Sequence, residues 1–173
     1  MSDFWVFGYG SLMWNPGFAF QRRSVATLAG FHRRLCIRST VYRGTPEHPG
    51  LVLGLDRGGR CAGVAFHVAA PDHEDVLAYL REREQVNSVY SEQWLPVTLA
   101  DGEEVTALTY VADRNHSQYA GKMSVLEASQ IVASSTGKAG PNRDYVSNTV
   151  AHLRDMGIVD ATLEEVASMV STL

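Results

Sequence analysis

The chain has 173 residues, 45% of them hydrophobic and 20% charged, and its 19 acidic and 15 basic residues give a formal net charge of −4. This length suits a single domain over residues 1–173 with its own core. The acidic balance argues against a nucleic-acid partner bound by electrostatic attraction. Because no apolar run reaches membrane-spanning length and the N-terminus lacks a signal-peptide pattern, we expect a cytoplasmic protein with no membrane partner.

The chain opens with an apolar segment, residues 4–7, that predicts a buried strand. Gly8 and Gly10 interrupt it, and residues 15–17 have the composition of a turn. Backbone N–H groups beyond the end of such a strand can bind an anion or a carbonyl oxygen. Alternatively, the glycines only supply positive φ angles for a tight turn. The pattern matches neither a dinucleotide-binding loop nor the nucleophile elbow of a serine hydrolase.

Further segments of strand character follow along the chain, at residues 28–39, 51–55, 61–68, 94–99 and 105–111. Turn residues at 57–60 and at 101–102 predict two hairpins. The short connections favour an antiparallel or mixed sheet that curls. Several arginines accompany the first of these segments and are expected to form a solvated face: Arg22, Arg23, Arg33, Arg34 and Arg38.

Four helices are predicted, at residues 72–85, 124–137 and 142–156 and from about residue 162 onward. Capping boxes mark the second and the fourth, in the pairs Ser124–Glu127 and Thr162–Glu165. Cys36 and Cys61 lie in strand-like segments and are expected to be buried thiols. The histidines lack metal-binding spacing, so we expect no metal.

The first predicted helix carries a carboxylate on its apolar side. At about 100° per residue, the apolar face is defined by Val76, Leu77 and Leu80. Glu84 projects about 35° from the centre of that face, whereas Glu82 points nearly opposite. Burial and the helix dipole both disfavour an ionised carboxylate there, which raises its pKa towards the range of a general acid–base. Alternatively, the helix frays by Arg83, and Glu84 is a structural salt-bridge partner.

Taken together, several segments resemble the ChaC-like gamma-glutamylcyclotransferases: WVFGYGSLMW, YRGTPEHPGLVLGL, CAGVAFHV, VLAYLRERE and GPNRDY. The match extends over residues 5–158. The resemblance implies an α+β fold, a small twisted mixed β-barrel flanked by helices. It also implies cleavage of a small-molecule substrate, glutathione, to 5-oxoproline and cysteinylglycine without a cofactor.

The resemblance also implies the residues of the site. The family's binding turn falls on four consecutive residues, Tyr9, Gly10, Ser11 and Leu12. Its catalytic glutamate falls on Glu84, and Tyr145 matches a tyrosine that we place at the pocket. The family often continues after the glutamate with glycine-rich residues, whereas residues 85–90 of this chain read QVNSVY. Substrate preference is therefore less determined than the type of reaction.

The implied reaction suits the turn and the glutamate. The α-amine of a gamma-glutamyl compound can attack its own γ-carbonyl and close a five-membered ring, so the enzyme mainly has to hold the substrate folded. Amides of residues 9–12 would bind the substrate carboxylate or the oxyanion. Glu84 would accept a proton from the α-ammonium and deliver one to the departing amine.

Three alternatives remain open from the sequence. The chain could act on other gamma-glutamyl amines or amino acids with the same turn and base. It could be a non-catalytic binding or regulatory module of the same fold, since the family has an older link with cation transport. It could also be a generic α+β domain in which Glu84 only forms a salt bridge. The sequence leaves the oligomeric state undetermined.

Overall fold

The structure is a computed structural model that describes residues 2–84 and 88–173. Within this part of the chain the main strands are β1 (Phe4–Gly8), β2 (Arg22–Ser39), β3 (Gly50–Val68), β4 (Tyr90–Leu99) and β5 (Glu104–Ala112). The helices are α1 (His73–Glu84), α2 (Val125–Ser134), α3 (Asn142–Asp155) and α4 (Ala161–Val170). Short 3-10 helices cover Ser11–Met13 and Ala70–Asp72, and a two-stranded ribbon pairs β6 (Thr136–Gly137) with β7 (Gly140–Pro141).

The five main strands close into a barrel in the order β1-β3-β2-β4-β5. β1 runs antiparallel to β3 and parallel to β5, while β4 is antiparallel to both β2 and β5. The barrel is therefore mixed, with a parallel pair, β1–β5, among antiparallel ones. The predicted α+β class with a small mixed barrel and flanking helices is confirmed.

The chain forms two compact units. The first consists of Met1–Arg33 and Leu55–Asp113, and it holds β1, β4, β5 and α1. Its core joins the apolar face of α1 to the barrel strands through Phe4, Val6, Leu12, Val68, Val76, Leu77, Leu80, Leu108 and Tyr110. The second unit consists of Arg34–Gly54 and Arg114–Leu173, in which α2, α3 and α4 pack on one another. The single domain over residues 1–173 stays a prediction.

Most predicted elements are present, but the hairpin predicted at residues 57–60 is wrong. The chain runs through these residues as part of β3, with Gly58 at φ 105° and Gly59 at φ 68°. The turn composition is accommodated within one long strand, because two glycines can take positive φ there without reversing the chain. The predicted hairpin at residues 101–102 is confirmed, since β4 and β5 pair antiparallel on either side of it.

The structure corrects the predicted cap of α4 and confirms that of α2. The carboxylate of Asp160 accepts a hydrogen bond from the Leu163 N–H, so Asp160, and not Thr162, caps α4. The predicted Ser124–Glu127 capping box at the start of α2 is confirmed.

Cys36 and Cys61 are buried free thiols, as predicted. None of the helices in the described ranges is long and apolar enough to cross a membrane.

The assignment of the α4 cap predicts a difference between two neighbouring substitutions. Asp160→Ala should lower the free energy of unfolding by about 1 kcal/mol, because the Leu163 N–H loses its acceptor. Thr162→Ala should change it by less than about 0.5 kcal/mol, as is usual for an exposed residue. Urea denaturation of both variants measures the difference. A larger loss in Thr162→Ala than in Asp160→Ala would contradict the assigned cap.

Candidate active site

The predicted binding turn begins where β1 ends. Gly8 is the last residue of β1 and pairs with Val64 of β3, and the 3-10 helix Ser11–Met13 follows two residues later. A Cβ atom on Gly8 would lie 2.9 Å from the Leu12 Cβ, so a side chain there would collide with the turn. Neither Gly8 nor Gly10 has a positive φ. Gly8 is therefore needed for the close approach of the turn, and not for a left-handed conformation.

In the backbone of the turn, the carbonyl groups of Gly10 and Ser11 accept hydrogen bonds, whereas the first amide groups do not donate any to described residues. The Gly10 carbonyl accepts a hydrogen bond from the Met13 N–H at 2.9 Å, and the Ser11 carbonyl accepts one from the Asn15 N–H at 2.8 Å. The first N–H groups of any helix lack intrahelical acceptors. The N–H groups of Gly10, Ser11 and Leu12 donate no hydrogen bond to any residue of the described ranges, 2–84 and 88–173. They are thus available to a bound acceptor.

Arg33 holds the turn from the barrel side. Its Nε donates to the Tyr9 carbonyl oxygen and its Nη2 to the Ala62 carbonyl oxygen, both at 2.6 Å. Because a trans peptide points its C=O and N–H in opposite directions, the Gly10 N–H points away from Arg33. Arg33 is only 7% exposed, so its predicted place on a solvated face is wrong. Arg33 lies two and four residues before Leu35 and Ile37, so its side chain is on the same, buried side of β2. This alternation could have predicted its burial.

The helix rotation predicted for α1 is confirmed. Glu84 is the last residue of α1, and its side chain is only 16% exposed, whereas Glu82 is exposed. The buried face of the helix, which leads to Glu84, packs against β1 and β5 in the core of the first unit. The carboxyl group therefore lies largely out of solvent at a helix C-terminus.

This environment changes the proton affinity of Glu84. Burial raises the pKa of the Glu84 carboxyl above its usual range. The Arg83 guanidinium, whose Nε lies 3.6 Å from Glu84 Oε1, opposes this rise in pKa but does not cancel it. The negative charge of Glu84 also contributes to the raised pKa of Tyr110 on β5, where burial is the largest cause. A carboxyl with a raised pKa can both accept and return a proton near neutral pH.

Arg83 connects the end of α1 to the turn. Its Nη2 donates to Ser11 Oγ at 2.8 Å, and its Nη1 lies 2.8 Å from the Asn15 carbonyl oxygen and 3.2 Å from that of Pro16. Since Glu84 directly follows Arg83, the buried carboxyl and the turn belong to one local assembly. Arg83 thus links Glu84 to the turn that contains Ser11, because its guanidinium contacts both.

A second carboxylate lies on the same side of α1. Glu92 of β4 accepts two hydrogen bonds from Arg81, both at 3.1 Å, and one from the Tyr110 hydroxyl at 2.9 Å. The hydrogen bond from Arg81 lowers the pKa of Glu92, with a further contribution from Tyr110. The sequence analysis missed this network, although Glu92 and Tyr110 are direct partners in the β4–β5 register. Pairing the two predicted strands in this register would have placed Glu92 opposite Tyr110 and so predicted their contact.

Tyr145 belongs to α3 in the second unit. Its hydroxyl oxygen accepts a hydrogen bond from the Leu53 N–H at 3.0 Å, and the Arg43 guanidinium lies over its ring at 5.7 Å from the centroid. Asn142 of the same helix is fully buried and exchanges two hydrogen bonds with the backbone of Leu51. The GPNRDY segment therefore anchors α3 to β3, and the place of Tyr145 at the pocket stays a prediction.

Two other features bear on the location of the site. An open groove of about 630 Å³ lies between α3 and α4, and it is lined by Ser147, Val150, Arg154, Glu164, Glu165, Ala167 and Ser168. None of the predicted site residues lines it. In the described part of the chain, no group of three or more His, Cys, Asp or Glu side chains is arranged to hold a metal ion.

Comparison with known proteins identifies the family. The sequence profile of the ChaC-like protein family matches residues 4–173, and the chain belongs to this family. It is 35% identical over 169 residues to a glutathione-specific gamma-glutamylcyclotransferase of Escherichia coli K12, which covers 98% of this chain and 73% of that protein. It is 34% identical over 177 residues to glutathione-specific gamma-glutamylcyclotransferase 1 of Mus musculus, with coverage of 98% and 78%.

A solved structure supports the fold. The crystal structure of a gamma-glutamylcyclotransferase specific to glutathione from yeast matches with a TM-score of 0.88 and 23% sequence identity, over 99% of this chain and 97% of that one. At this identity, the agreement shows a shared fold.

The raised pKa of Glu84 predicts a pH-dependent effect on stability. The folded chain holds this proton more tightly than the unfolded chain does. The free energy of unfolding therefore falls as pH rises from the unfolded pKa through the raised folded pKa. Glu84→Gln removes this loss and should be more stable than the wild type at pH 7, with the difference vanishing below about pH 4, the range of an unperturbed glutamate. Urea denaturation at both pH values measures it.

Glu82→Gln is the matched control, because its carboxylate is exposed on the same helix turn. It makes the same substitution at an exposed position of the helix, so the effect specific to the buried Glu84 is the difference between the two variants. A Glu84→Gln variant that is less stable than the wild type at pH 7 would mean that the ion pair with Arg83 outweighs the burial of Glu84.

Proposed function

We propose that this chain is a gamma-glutamylcyclotransferase that cleaves glutathione to 5-oxoproline and cysteinylglycine without a cofactor. The observation that carries the proposal is a buried glutamate of raised pKa that is linked, through Arg83, to the turn at the end of β1. The family membership and the glutathione-specific names of the relatives from Escherichia coli and Mus musculus support the substrate.

Glu84 is the proposed proton carrier. The substrate α-ammonium must lose a proton before its nitrogen can attack the γ-carbonyl carbon, and the Glu84 carboxylate accepts that proton. Attack forms the C–N bond of the five-membered ring, and the bond to the cysteine nitrogen then breaks. Of the three ammonium hydrogens, one remains on the ring nitrogen and two end on the amino group of cysteinylglycine. Glu84 relays these protons, and no water is consumed.

The turn is the proposed electrostatic partner of this step. Negative charge develops on the γ-carbonyl oxygen when the amine attacks, and fixed N–H donors stabilise it without reorganisation. The N–H groups of Gly10, Ser11 and Leu12 are the donors we propose, either for this oxyanion or for a substrate carboxylate. The Tyr9 peptide takes part through its carbonyl, which Arg33 holds in a fixed orientation.

The raised pKa suits both halves of the proton relay. A glutamate of ordinary pKa would be a weak base towards an ammonium group and a short-lived acid at neutral pH. Burial makes the Glu84 carboxylate a stronger base and makes its protonated form more populated when the leaving amine needs a proton. The ring closure itself is intramolecular, so holding the gamma-glutamyl group folded supplies much of the remaining rate.

The proposal predicts opposite outcomes for the two glutamates of the last turn of α1. Glu84→Gln should lower kcat/KM for glutathione by at least about a hundredfold, because general acid–base catalysis contributes roughly 10²–10⁴. Glu82→Gln should stay within about twofold of the wild type, as expected of an exposed side chain outside the site. Both are measured by release of 5-oxoproline and cysteinylglycine from reduced glutathione in the presence of EDTA.

Substrate scope is tested in the same assay with other gamma-glutamyl amines and amino acids beside glutathione. Faster turnover of one of these compounds would transfer the proposal to that substrate while leaving Glu84 in its role. Full activity of Glu84→Gln on every compound would remove Glu84 from the mechanism. A wild-type chain that cleaves none of them would favour a binding module.

A further inference from the structure

The contacts of Arg83 lead to an inference about how the proposed site is assembled. Arg83 precedes Glu84, and its side chain is 20% exposed. The guanidinium reaches three residues of the segment that follows β1, through Ser11 Oγ and the carbonyl oxygens of Asn15 and Pro16. The same group interacts with the carboxylate of Glu84. One side chain therefore contacts both parts of the proposed site.

We propose that Arg83 is a positioning residue that fixes the amides of the Gly10–Leu12 turn relative to the Glu84 carboxyl. It acts through the turn and through Glu84, and it is not proposed to contact the substrate. The inference rests on the proposed function and extends it to the residue that assembles the site.

The geometry of the guanidinium group is what suits it to this task. Nη1 faces the Asn15 and Pro16 carbonyl oxygens, and Nη2 faces Ser11 Oγ, so two ends of the planar fork bind two sides of one turn. A lysine carries the same charge at a single nitrogen on a flexible stem and cannot reproduce the fork. Replacing Arg83 with lysine therefore keeps the positive charge but removes the two-armed guanidinium, so the effect of its geometry on the turn can be measured separately from the effect of its charge.

The neighbours of Arg83 show that this contact is built into the fold. Tyr79, one helical turn earlier, lies with its hydroxyl oxygen 2.9 Å from Arg83 Nη1. A Cβ atom on Gly17 would lie 2.1 Å from that hydroxyl oxygen, and Gly17 has φ 73°. Glycine at this position adopts the positive φ without strain and leaves room for the Tyr79 hydroxyl, which contacts Arg83. The segment that carries the turn is seated on the same face of α1 as the arginine.

The charge of Arg83 has a second, separable consequence. It lowers the pKa of Glu84 against the larger effect of burial. Among the residues that the structure describes, the other titratable groups near Arg83 and Glu84 include Tyr79, which contacts Arg83, Tyr110 on β5, and Glu92 on β4, which is paired with Arg81. A substitution of Arg83 leaves these groups in place. Loss of its charge should therefore raise the pKa of Glu84 further, whereas lysine should leave it nearly unchanged.

Amide hydrogen exchange tests the positioning role without relying on activity. In the wild type, the Met13 and Asn15 N–H groups are bonded within the turn. Arg83→Met and Arg83→Lys should both increase exchange at these two amides by at least about tenfold, because each removes the fork that holds the turn. Wild-type exchange rates in both variants would overturn the proposal. If Arg83→Met does not fold, Arg83→Lys alone decides.

Titration of the Glu84 carboxyl by ¹³C NMR tests the contribution of charge. The midpoint should move to higher pH in Arg83→Met and stay near the wild-type value in Arg83→Lys. The acid limb of the kcat/KM profile should follow the same pattern, while kcat falls by at least about tenfold in both variants because the turn is misplaced. Wild-type kcat in Arg83→Lys, together with unchanged exchange, would contradict a positioning role.

Arg154→Met is the control, because it makes the same substitution at an arginine of the second unit that is paired with a glutamate, Glu164. It should change neither turn exchange nor the Glu84 titration. The two proposals remain separable: if the wild type releases no 5-oxoproline, the proposed function fails, whereas exchange and titration still decide whether Arg83 positions the turn.

Discussion

The proposed site depends on a carboxyl group held out of water at the end of a helix. Burial of an ionised carboxylate is unfavourable, and the C-terminal end of the helix dipole adds to the cost. The fold maintains this arrangement because the rest of α1 is firmly anchored. Leu77 and Leu80 pack in the core of the first unit, and Arg81 binds Glu92 of β4. The position of Glu84 is thus imposed by packing around it and not by its own interactions.

Two carboxyl groups on this side of α1 have opposite properties for identifiable reasons. Glu92 receives hydrogen bonds from Arg81 and Tyr110, which favour its ionised form and lower its pKa. Glu84 is more deeply buried and has a single opposing cation in Arg83, so its pKa is raised. Such a separation of two neighbouring acids is a common way in which an enzyme assigns one group to proton transfer and another to a fixed charge. Here it supports Glu84 as the proposed proton carrier.

Local sequence patterns were sufficient for much of the fold. The apolar segment of β1, the antiparallel pair β4–β5 and the rotation of α1 all depend on neighbouring residues, and the structure confirms them. The rotation of α1 also led directly to Glu84. The family resemblance supplied the barrel, because closure depends on the pairing of β1 with β5, and these strands lie about a hundred residues apart. No local pattern encodes such a contact.

The errors came from contacts that are distant in sequence or from competing local signals. The buried guanidinium of Arg33 binds the carbonyl oxygen of Ala62 on β3 and that of Tyr9 in the turn, and both residues are more than twenty positions away in the sequence. The Gly58–Gly59 pair has the composition of a turn, yet β3 continues through it, with both glycines at positive φ. At α4, the sequence pattern favoured Thr162 as the cap, whereas in the structure the Asp160 side chain accepts the hydrogen bond at the start of the helix. The positioning role proposed for Arg83 could not be predicted from the sequence, because its contacts with Ser11, Asn15 and Pro16 join residues about seventy positions apart.

A crystal structure of the Glu84→Gln variant with glutathione bound would test the central claim most directly. The account predicts the γ-carbonyl oxygen or the substrate carboxylate within hydrogen-bonding distance of the Gly10–Leu12 amides. It also predicts the α-amino nitrogen next to the side chain of residue 84. Glutathione bound in the groove between α3 and α4, with the turn amides facing solvent, would contradict it.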